Sequence, residues 1–231
     1  MLTTMNPQIH LVDDEDAVRD ALGFLLQANG FAVRCYANGR EFLDALKETQ
    51  GRSQVSLTPS GGATRSGGSG GAVSIEPLQG CVLLDVRMEP LSGLQVHDEM
   101  LVLGIPNPVL FLSGHGDIGM AVDALKKGAF DFIEKPCTDQ ALLERVGHAL
   151  RVEAARHVRN AQEAVRHARL ASLSEREREV MLRVAAGKLN KVIADELGVA
   201  IRTVEVHRAR VYSKLGVRSS AEVATILAQG Q

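Results

Sequence analysis

Tryptophan is absent from this chain, and aromatic residues make up only 3% of it. The three cysteines (Cys35, Cys81 and Cys137) are odd in number and widely spaced, which argues against disulfides and against a zinc site. No apolar run approaches the roughly 18 residues that span a bilayer, and the N-terminus lacks the basic start and apolar stretch of a signal peptide. These absences predict a cytoplasmic protein with aliphatic cores and no membrane partner.

Charge is distributed unevenly along the chain, although the formal net charge is only −2. The first 140 residues hold 10 basic and 18 acidic side chains, whereas residues 141–231 hold 16 basic and 10 acidic ones. A length of 231 residues suffices for two domains of ordinary size. The imbalance indicates that the two parts have separate roles, and the basic part favours a polyanionic partner.

Strand-like and helical patterns alternate through the first part of the chain. Five apolar runs predict strands, and a helical pattern follows each of them: QIHLV, FAVRCYA, GCVLLD, NPVLFLS and AFDFIEK. Strict alternation of this kind predicts an α/β fold with a five-stranded, parallel, doubly wound sheet that carries helices on both faces.

One segment interrupts this alternation between the second helix, predicted at residues 39–48, and the third strand. Residues 60–71 are almost entirely Gly, Ser, Ala and Thr, and such a composition buries too little apolar surface to offset the entropy of ordering. Insertions of this kind are tolerated because loop-closure entropy grows only logarithmically with length. Residues of about 50–78 are therefore predicted to form a disordered surface insertion.

Polar residues stand at the ends of four predicted strands. Asp13 and Asp14 end the first strand, Asp85 the third, Ser113 the fourth and Lys135 the fifth. In an open parallel sheet the carboxyl ends of the strands meet at one edge, where chemistry gathers. Three carboxylates there need a compensating cation, and Mg²⁺ suits an incomplete cage of oxygen ligands. With a lysine and a hydroxyl beside it, the set predicts a site that accepts a phosphoryl group on one carboxylate.

The second part of the chain is predicted to be entirely helical. Residues 138–172 indicate one long helix or two, and four short helical patterns follow at 175–187, 191–197, 203–214 and 219–228. Gly198 lies in a tight turn between two of them, which is helix-turn-helix spacing.

The helix after that turn is amphipathic. Val204, Val211 and Leu215 share one face, and the opposite face with its edges holds Arg202, Glu205, Val206, Ala209, Arg210 and Ser213. Small and polar residues on the outward face are typical of a recognition helix in the major groove of DNA. A plain four-helix domain with a solvated basic face is the alternative that this pattern leaves open.

The motifs LVDDED, LLDVRM, LSGHGD and FIEKP resemble those of receiver domains in two-component response regulators, from residue 7 to about 150. The resemblance implies a flavodoxin-like fold in which Asp85 accepts the phosphoryl group. It also implies a switch hydroxyl on Ser113, an aromatic switch at Phe132 and a phosphate-binding lysine at Lys135. By the same resemblance, Mg²⁺ would be held by Asp13, Asp14, Asp85 and the backbone carbonyl of Arg87.

One departure from the receiver pattern follows the phospho-acceptor. Glu89 stands where these domains usually carry proline, and Pro90 comes one residue later. Gly93 keeps its usual distance from Asp85, so we expect a locally altered turn that adds negative charge near the metal site.

The stretches SEREREV, GKLNKVIADELG and RTVEVHRARV resemble the LuxR-type DNA-binding domain of the FixJ/NarL group, over residues 171–228. The resemblance implies binding to DNA as a dimer. From the geometry of the helix we expect four residues near base edges, Arg202, Glu205, Val206 and Ala209. Five more are expected at phosphates, Lys191, Thr203, Arg208, Arg210 and Lys214. Ala200 stands where relatives often carry a serine that caps this helix, with Thr203 as a partial substitute.

These patterns together predict a phosphorylation-controlled transcription regulator rather than an enzyme. Its receiver would span residues 1–150, a helical linker 151–170 and the LuxR-type domain 171–231. The implied partners are a sensor histidine kinase, promoter DNA, RNA polymerase and a second copy of the chain. That copy would pair through the helix 4–strand 5 face, residues 117–133.

Two other functions share parts of this pattern. A phosphorelay or protein-interaction module, whose second domain is not the main output, stays open as an alternative. A hydrolase of the phosphoserine-phosphatase type is disfavoured because it needs a second aspartate two residues after the nucleophile, where this chain has Arg87.

Overall fold

The computed structural model describes residues 7–55, 78–114 and 118–228. The chain divides into two compact units, Met1–Arg156 and His157–Gln231. Among the described helices, none combines the length and the apolar character that crossing a membrane requires.

Strands and helices alternate in the first unit as the sequence predicts. Its elements are β1 (Gln8–Val12), α1 (Asp16–Ala28), β2 (Ala32–Tyr36), α2 (Gly39–Val55), β3 (Gly80–Asp85), α3 (Gly93–Val102), β4 (Val109–Ser113), α4 (Ile118–Lys126), β5 (Asp131–Glu134) and α5 (Asp139–Ala171). The strands form one five-stranded sheet in the order β2-β1-β3-β4-β5, and every neighbouring pair is parallel. The predicted α/β, doubly wound, flavodoxin-like fold is confirmed.

The central strands are buried on both faces because their side chains alternate between two cores. On β3, Cys81 and Leu83 join a core with α1 and α5, whereas Val82 and Leu84 join one with α2, α3 and α4. This alternation follows from the period-2 geometry of a strand. Continuous apolar runs such as CVLL are thereby explained, since a parallel sheet with helices on both sides has no solvent-facing strand surface at its centre.

Helix α2 is longer than predicted, because it continues to Val55 instead of ending near residue 48. The sequence prediction ended the helix where its apolar periodicity stops, but a single glycine such as Gly51 costs a helix only about 1 kcal/mol relative to alanine. The rest of the predicted insertion, residues 56–77, lies outside the described residues.

A buried polar cluster lies at the edge of the sheet opposite the predicted site, where β3 and β4 begin. The Asn107 amide donates to the carbonyl of Gly80 at 2.9 Å and to Glu153 Oε1 at 3.3 Å. Arg156 pairs with the same Glu153 oxygen at 2.6 Å and also donates to the carbonyl of Pro106. Because Glu153 is only 2% exposed, these partners offset the cost of burying its carboxylate.

The second unit is helical throughout its described part. The predicted long helix is the single helix α5, which supplies residues to both units, and four more follow: α6 (Glu175–Ala185), α7 (Asn190–Leu197), α8 (Ile201–Leu215) and α9 (Ser220–Ala228). Helix α6 begins with a capping box in which Ser174 and Glu177 exchange hydrogen bonds. Gly198 ends α7 with a left-handed φ of 64°, which permits the tight turn into α8.

Candidate phosphorylation site and nucleic-acid interface

Three of the polar residues predicted at the strand ends come together through one ammonium group. Lys135, directly after β5, places Nζ 2.6 Å from Asp85 Oδ1 and 2.9 Å from Asp13 Oδ2. Asp85 is the last residue of β3, and Asp13 follows β1, its neighbour in the sheet. The lysine therefore links the ends of three strands that are far apart in sequence.

Burial makes this site electrostatically sensitive. Asp13 is 1% exposed and Asp85 is 8% exposed. Burial raises the pKa of Asp85; the hydrogen bond from Lys135 opposes that rise, and the nearby charge of Asp13 adds to it. Burial alone would lower the pKa of Lys135, but hydrogen bonds to Asp85 and Asp13 outweigh it and raise that pKa. Lys135 is thus held as a cation between two carboxylates.

Backbone amides supply further donors to the carboxylates. Glu15 N donates to Asp13 Oδ1 at 3.0 Å, and Arg87 N donates to Asp85 Oδ2 at 2.8 Å. The amide of Glu89, in the altered turn, lies 3.4 Å from Asp14 Oδ2. That turn therefore contributes a backbone donor to the site, in addition to the exposed charge that the sequence predicts for Glu89.

Gly93 allows helix α3 to begin close behind β3, the strand that ends at the predicted phospho-acceptor Asp85. A Cβ on this residue would lie 2.1 Å from the carbonyl oxygen of Asp85, closer than any side chain tolerates. Its amide donates to Val86 O at 3.0 Å. The fixed distance between Asp85 and Gly93, noted in the sequence, therefore has a steric cause in the backbone packing.

The predicted metal ligands are only partly gathered. Within the described ranges, no group of three His, Cys, Asp or Glu side chains is arranged to hold a metal ion. Lys135 stands between Asp13 and Asp85, while Asp14 is exposed beside the Glu89 amide. The donor chemistry nevertheless fits a hard divalent cation, because the carboxylates of Asp13, Asp14 and Asp85 carry three negative charges and the Lys135 ammonium offsets one of them. The backbone carbonyl of Arg87 as a ligand stays a prediction.

The two predicted switch residues lie on adjacent strands. Ser113, 2% exposed at the end of β4, donates from Oγ to the carbonyl of Gly114 at 2.9 Å, and its own carbonyl accepts from Lys135 N at 2.6 Å. Phe132 on β5 is partly buried, with its ring centroid 5.8 Å from that of Phe111. Their switch roles stay predictions.

The predicted helix 4–strand 5 face carries exposed apolar side chains. Val122 and Leu125 on α4 are each 46% exposed. Among the described strands, β5 lies at an edge of the sheet. Residues 115–117, which include part of the LSGHGD motif, lie outside the described residues.

In the second unit, α8 has the two faces that the sequence predicts. Val204, Val211 and Leu215 are buried in the core of this unit. The four side chains expected near base edges, Arg202, Glu205, Val206 and Ala209, are all exposed. Arg202 pairs with Glu205 at 3.3 Å on this outward face.

The residues expected at phosphates fall into two groups. Lys191, Thr203 and Arg210 are exposed. Arg208 instead donates to Asn190 Oδ1 at 2.9 Å and to Tyr212 Oη at 3.0 Å. The sequence analysis singled out neither partner. The contact with Asn190 ties α8 to α7, whereas Tyr212 lies one turn further along α8.

Lys214 is also held by partners that sequence reasoning missed. Its Nζ lies 2.6 Å from Glu177 Oε2 and 2.9 Å from the carbonyl of Ser172. Hydrogen bonds from Lys214 and from the Ser174 amide lower the pKa of Glu177 to about 2, although burial opposes that shift. Phosphate contacts by Arg208 and Lys214 stay predictions, and these interactions compete with them.

Helix α8 begins without a side-chain cap, as the alanine at position 200 predicts. Ala200 has the extended φ and ψ of an N-cap residue, −68° and 148°, but its methyl group cannot accept a hydrogen bond. No capping bond from the predicted substitute, Thr203, forms in this part of the described chain.

Arg19 is a receiver residue near the site that the sequence analysis did not single out. From α1 it donates through Nη1 to the backbone carbonyl of Asp13 at 2.7 Å, and it pairs with Asp16. Its spacing from Asp16 predicts a surface ion pair on a helix. Its contact with a backbone carbonyl, however, cannot be predicted from residue types and their spacing.

Two family descriptions match this chain. Residues 74–147 match "Response regulator receiver domain", and residues 171–227 match "Bacterial regulatory proteins, luxR family". The matched ranges contain β3, which ends at Asp85, in the first unit and all of α6 to α8 in the second.

Similar proteins extend along nearly the whole chain. The C4-dicarboxylate transport transcriptional regulatory protein DctR of Rhodobacter capsulatus is 41% identical, over 95% of this chain and 98% of its own length. The transcriptional regulatory protein FixJ of Bradyrhizobium diazoefficiens is 38% identical, over 95% of this chain and 94% of its own length.

Solved structures with the same two-part composition are also similar. The response regulator StyR is 31% identical and matches with a TM-score of 0.80. The match covers 97% of this chain and 100% of the StyR chain. Full-length FixJ from B. japonicum, at 36% identity, matches with a TM-score of 0.54 over 98% of both chains.

Proposed function

Because this chain belongs to the response regulators that join a receiver domain to a LuxR-type DNA-binding domain, we propose that phosphorylation of Asp85 controls its binding to promoter DNA. In this proposal residues 1–150 receive the signal, 151–170 form the linker and 171–231 bind DNA. The bridge that Lys135 makes between Asp85 and Asp13 is the observation that carries the proposal.

The proposed reaction moves a phosphoryl group from a phosphohistidine of a sensor kinase to Asp85. A carboxylate oxygen of Asp85 forms the new P–O bond as the P–N bond breaks, and the histidine leaves with the bonding electron pair. Lys135, already 2.6 Å from Asp85, would hold a phosphoryl oxygen as a point charge. Ser113, at the end of the adjacent strand β4, would donate to another.

Mg²⁺ would be held by the carboxylates of Asp13, Asp14 and Asp85 with the Arg87 carbonyl, and it would neutralise charge on the phosphoryl oxygens. The amides of Glu15, Arg87 and Glu89, which donate to these three carboxylates, would keep them oriented.

The proposed output is dimerisation followed by DNA binding. Movement of Ser113 toward the phosphoryl group, and of Phe132 with it, would alter the helix 4–strand 5 face. Exposed Val122 and Leu125 support this face as a dimer surface, because burying them in an isologous contact removes apolar area from water. A two-fold dimer then presents two copies of α8 to palindromic half-sites, with RNA polymerase as a further partner.

The test of this proposal uses acetyl phosphate and Mg²⁺ on the full-length chain. We expect the wild type to be phosphorylated on Asp85, to dimerise and to bind its promoter DNA more tightly, with acetate as the leaving group. Asp85→Asn should show none of these responses while keeping its fold. Asp44→Asn, which changes an exposed carboxylate on α2, serves as the matched control and should behave as the wild type.

Two results would contradict the proposal. Phosphorylation of Asp85→Asn to the wild-type extent would place the acceptor elsewhere. Phosphorylation of the wild type without any change in sequence-selective, salt-sensitive DNA binding would favour the phosphorelay or interaction module instead.

A further inference from the structure

Arg19 folds back from α1 onto the turn that carries Asp13 and Asp14. Its Nη1 donates to the Asp13 carbonyl at 2.7 Å, and its Nη2 pairs with Asp16. The Arg19 side chain is only 14% exposed, whereas that of Asp16 is 85% exposed. The arginine is therefore packed against the site, and its acidic partner lies on the outside.

The carbonyl that Arg19 contacts belongs to the peptide plane between Asp13 and Asp14. Because a peptide unit is planar, fixing the direction of this carbonyl also fixes where the backbone of Asp14 begins. On the other side of Asp13, its amide donates to Tyr36 O at 3.3 Å. The backbone of Asp13 is thus held from both sides, by β2 and by Arg19.

The two carboxylates at this turn differ in how they are held. Asp13 is 1% exposed, and Lys135 and the Glu15 amide both bind its side chain. Asp14 is exposed, and the Glu89 amide approaches its Oδ2 at 3.4 Å. The placement of the Asp14 carboxylate therefore depends mainly on its backbone, which is the part that Arg19 orients.

From this geometry we infer that Arg19 is a positioning residue for the divalent cation, acting through the Asp13–Asp14 peptide. The inference rests on the proposed function, since it assigns a residue to the metal site of that function. An arginine suits the task because its planar fork reaches two acceptors at once, whereas a lysine ammonium lacks that fixed geometry.

The competing explanation is that Arg19 only forms a surface ion pair with Asp16. Exposed pairs of this kind contribute little to stability, and their loss would leave metal binding unchanged. The two explanations differ for Arg19→Ala, because only the positioning role expects this variant to weaken metal binding. Asp16→Asn, which removes the ion pair but keeps the donor to the Asp13 carbonyl, should leave metal binding unchanged.

The experiment measures Mn²⁺ binding to the full-length, unphosphorylated chain from the spectroscopic signal of free Mn²⁺. We expect Arg19→Ala to weaken binding about 10-fold or more, as is usual when a residue that orients metal ligands is removed. Arg19→Lys should lose less affinity than Arg19→Ala, and Asp16→Asn should remain within about twofold of the wild type. Arg176→Ala, which breaks a similar i,i+3 pair with Glu179 in the second unit, is the matched control.

A kinetic measurement with acetyl phosphate separates positioning from general damage. For Arg19→Ala, the phosphorylation rate should be low at limiting Mg²⁺ and should return toward the wild-type rate at saturating Mg²⁺. Wild-type Mn²⁺ affinity in Arg19→Ala, or an equal loss in Asp16→Asn, would overturn the inference. If Arg19→Ala does not fold, unchanged affinity in Arg19→Lys and Arg19→Gln overturns it in the same way.

Failure of the inference and failure of the proposed function give different results. A wild type that takes up neither Mn²⁺ nor phosphate overturns both. A wild type that binds Mn²⁺ and is phosphorylated on Asp85, with Arg19 variants that match it in both measurements, overturns only the role of Arg19.

Discussion

At the scale of single residues, His10 in the receiver core affects stability and has no part in the proposed phosphorylation. His10 on β1 is 3% exposed, and its Nδ1 lies 2.9 Å from the hydroxyl of Tyr36. Its ring stacks on Tyr36 with the centroids 5.8 Å apart. Burial, assisted by the positive charge of Arg34, lowers the pKa of His10 to about 4. The folded chain therefore keeps this imidazole neutral.

This lowered pKa predicts a loss of stability in mild acid. Below its ordinary value of 6.5, His10 takes up a proton in the unfolded chain but not in the folded one, until the pH reaches about 4. The unfolded state then binds more protons, so the free energy of unfolding falls as the pH falls through this window. At about 1.4 kcal/mol per pKa unit, the full loss is on the order of 3 kcal/mol.

Urea unfolding of the full chain between pH 7 and pH 4 measures this effect, with His10→Phe as the comparison. The variant should lose less stability than the wild type across the window, because phenylalanine does not titrate. Parallel pH profiles for the two chains would show that His10 does not contribute. The comparison with the variant is needed because carboxylates elsewhere also titrate in this range. Their contribution is the same in both chains and cancels in the difference between the two pH profiles.

At the scale of elements, the two ends of α8 are stabilised unequally. Its C-terminus is closed by Gly216 at a left-handed φ of 70°, and Arg169 donates to the Leu215 carbonyl there at 3.0 Å. Its N-terminus begins at Ala200 with no side-chain acceptor for the first amides. Unsatisfied amides at a helix start are a recognised cost to stability.

Ala200→Ser is accordingly expected to stabilise the second unit by about 1 kcal/mol, because a serine hydroxyl can accept from the amide at the third helical position. Ala200 already has extended backbone angles, so the substitution requires no rearrangement. Thermal unfolding of the full chain, followed by helical circular dichroism, measures the change. Ala200→Val, which lacks an acceptor, is the control, and equal melting temperatures for serine and alanine would contradict the expectation.

Across the whole molecule, the division of charge matches the division of roles. The acidic first part holds the carboxylate site, and the basic second part holds the helix proposed to bind DNA. Not every basic residue of the second part is equally available, however. Lys214 is paired with Glu177 at 2.6 Å, whereas Arg210 is exposed on α8.

This difference predicts unequal effects on the salt dependence of DNA binding. Each phosphate contact contributes about 0.9 to the slope of log affinity against log salt, so removing one cation from both subunits of a dimer lowers the slope by about 2. We expect that fall for Arg210→Ala. Lys214→Met should leave the slope almost unchanged, because its charge is already neutralised by Glu177.

Binding isotherms of the phosphorylated chain on one promoter fragment, recorded from low to physiological salt, give both slopes. A fall of about 2 for Lys214→Met would mean that Lys214 leaves Glu177 for a phosphate, and an unchanged slope for Arg210→Ala would exclude its phosphate contact.

Much of this molecule is predictable from its sequence because the relevant signals are local. Apolar runs of five or six residues, followed by helical periodicity, locate the strands and helices, and alternation of the two types requires a parallel sheet. Parallel strands end at a common edge, so Asp13, Asp85 and Lys135 could be assigned to one site without coordinates. The outward face of α8 follows from helical geometry in the same way.

The tertiary structure decided which groups are partners. Arg19 with the Asp13 carbonyl, Lys214 with Glu177, Arg208 with Asn190, and Asn107 with Glu153 are pairs that no periodicity identifies. Three of these pairs join side chains at least 18 residues apart, and the fourth ends on a backbone carbonyl. Such contacts depend on how elements pack and which rotamers that packing permits. Sequence therefore determined which elements form and which edge carries the chemistry, whereas packing in three dimensions determined how each charge is held.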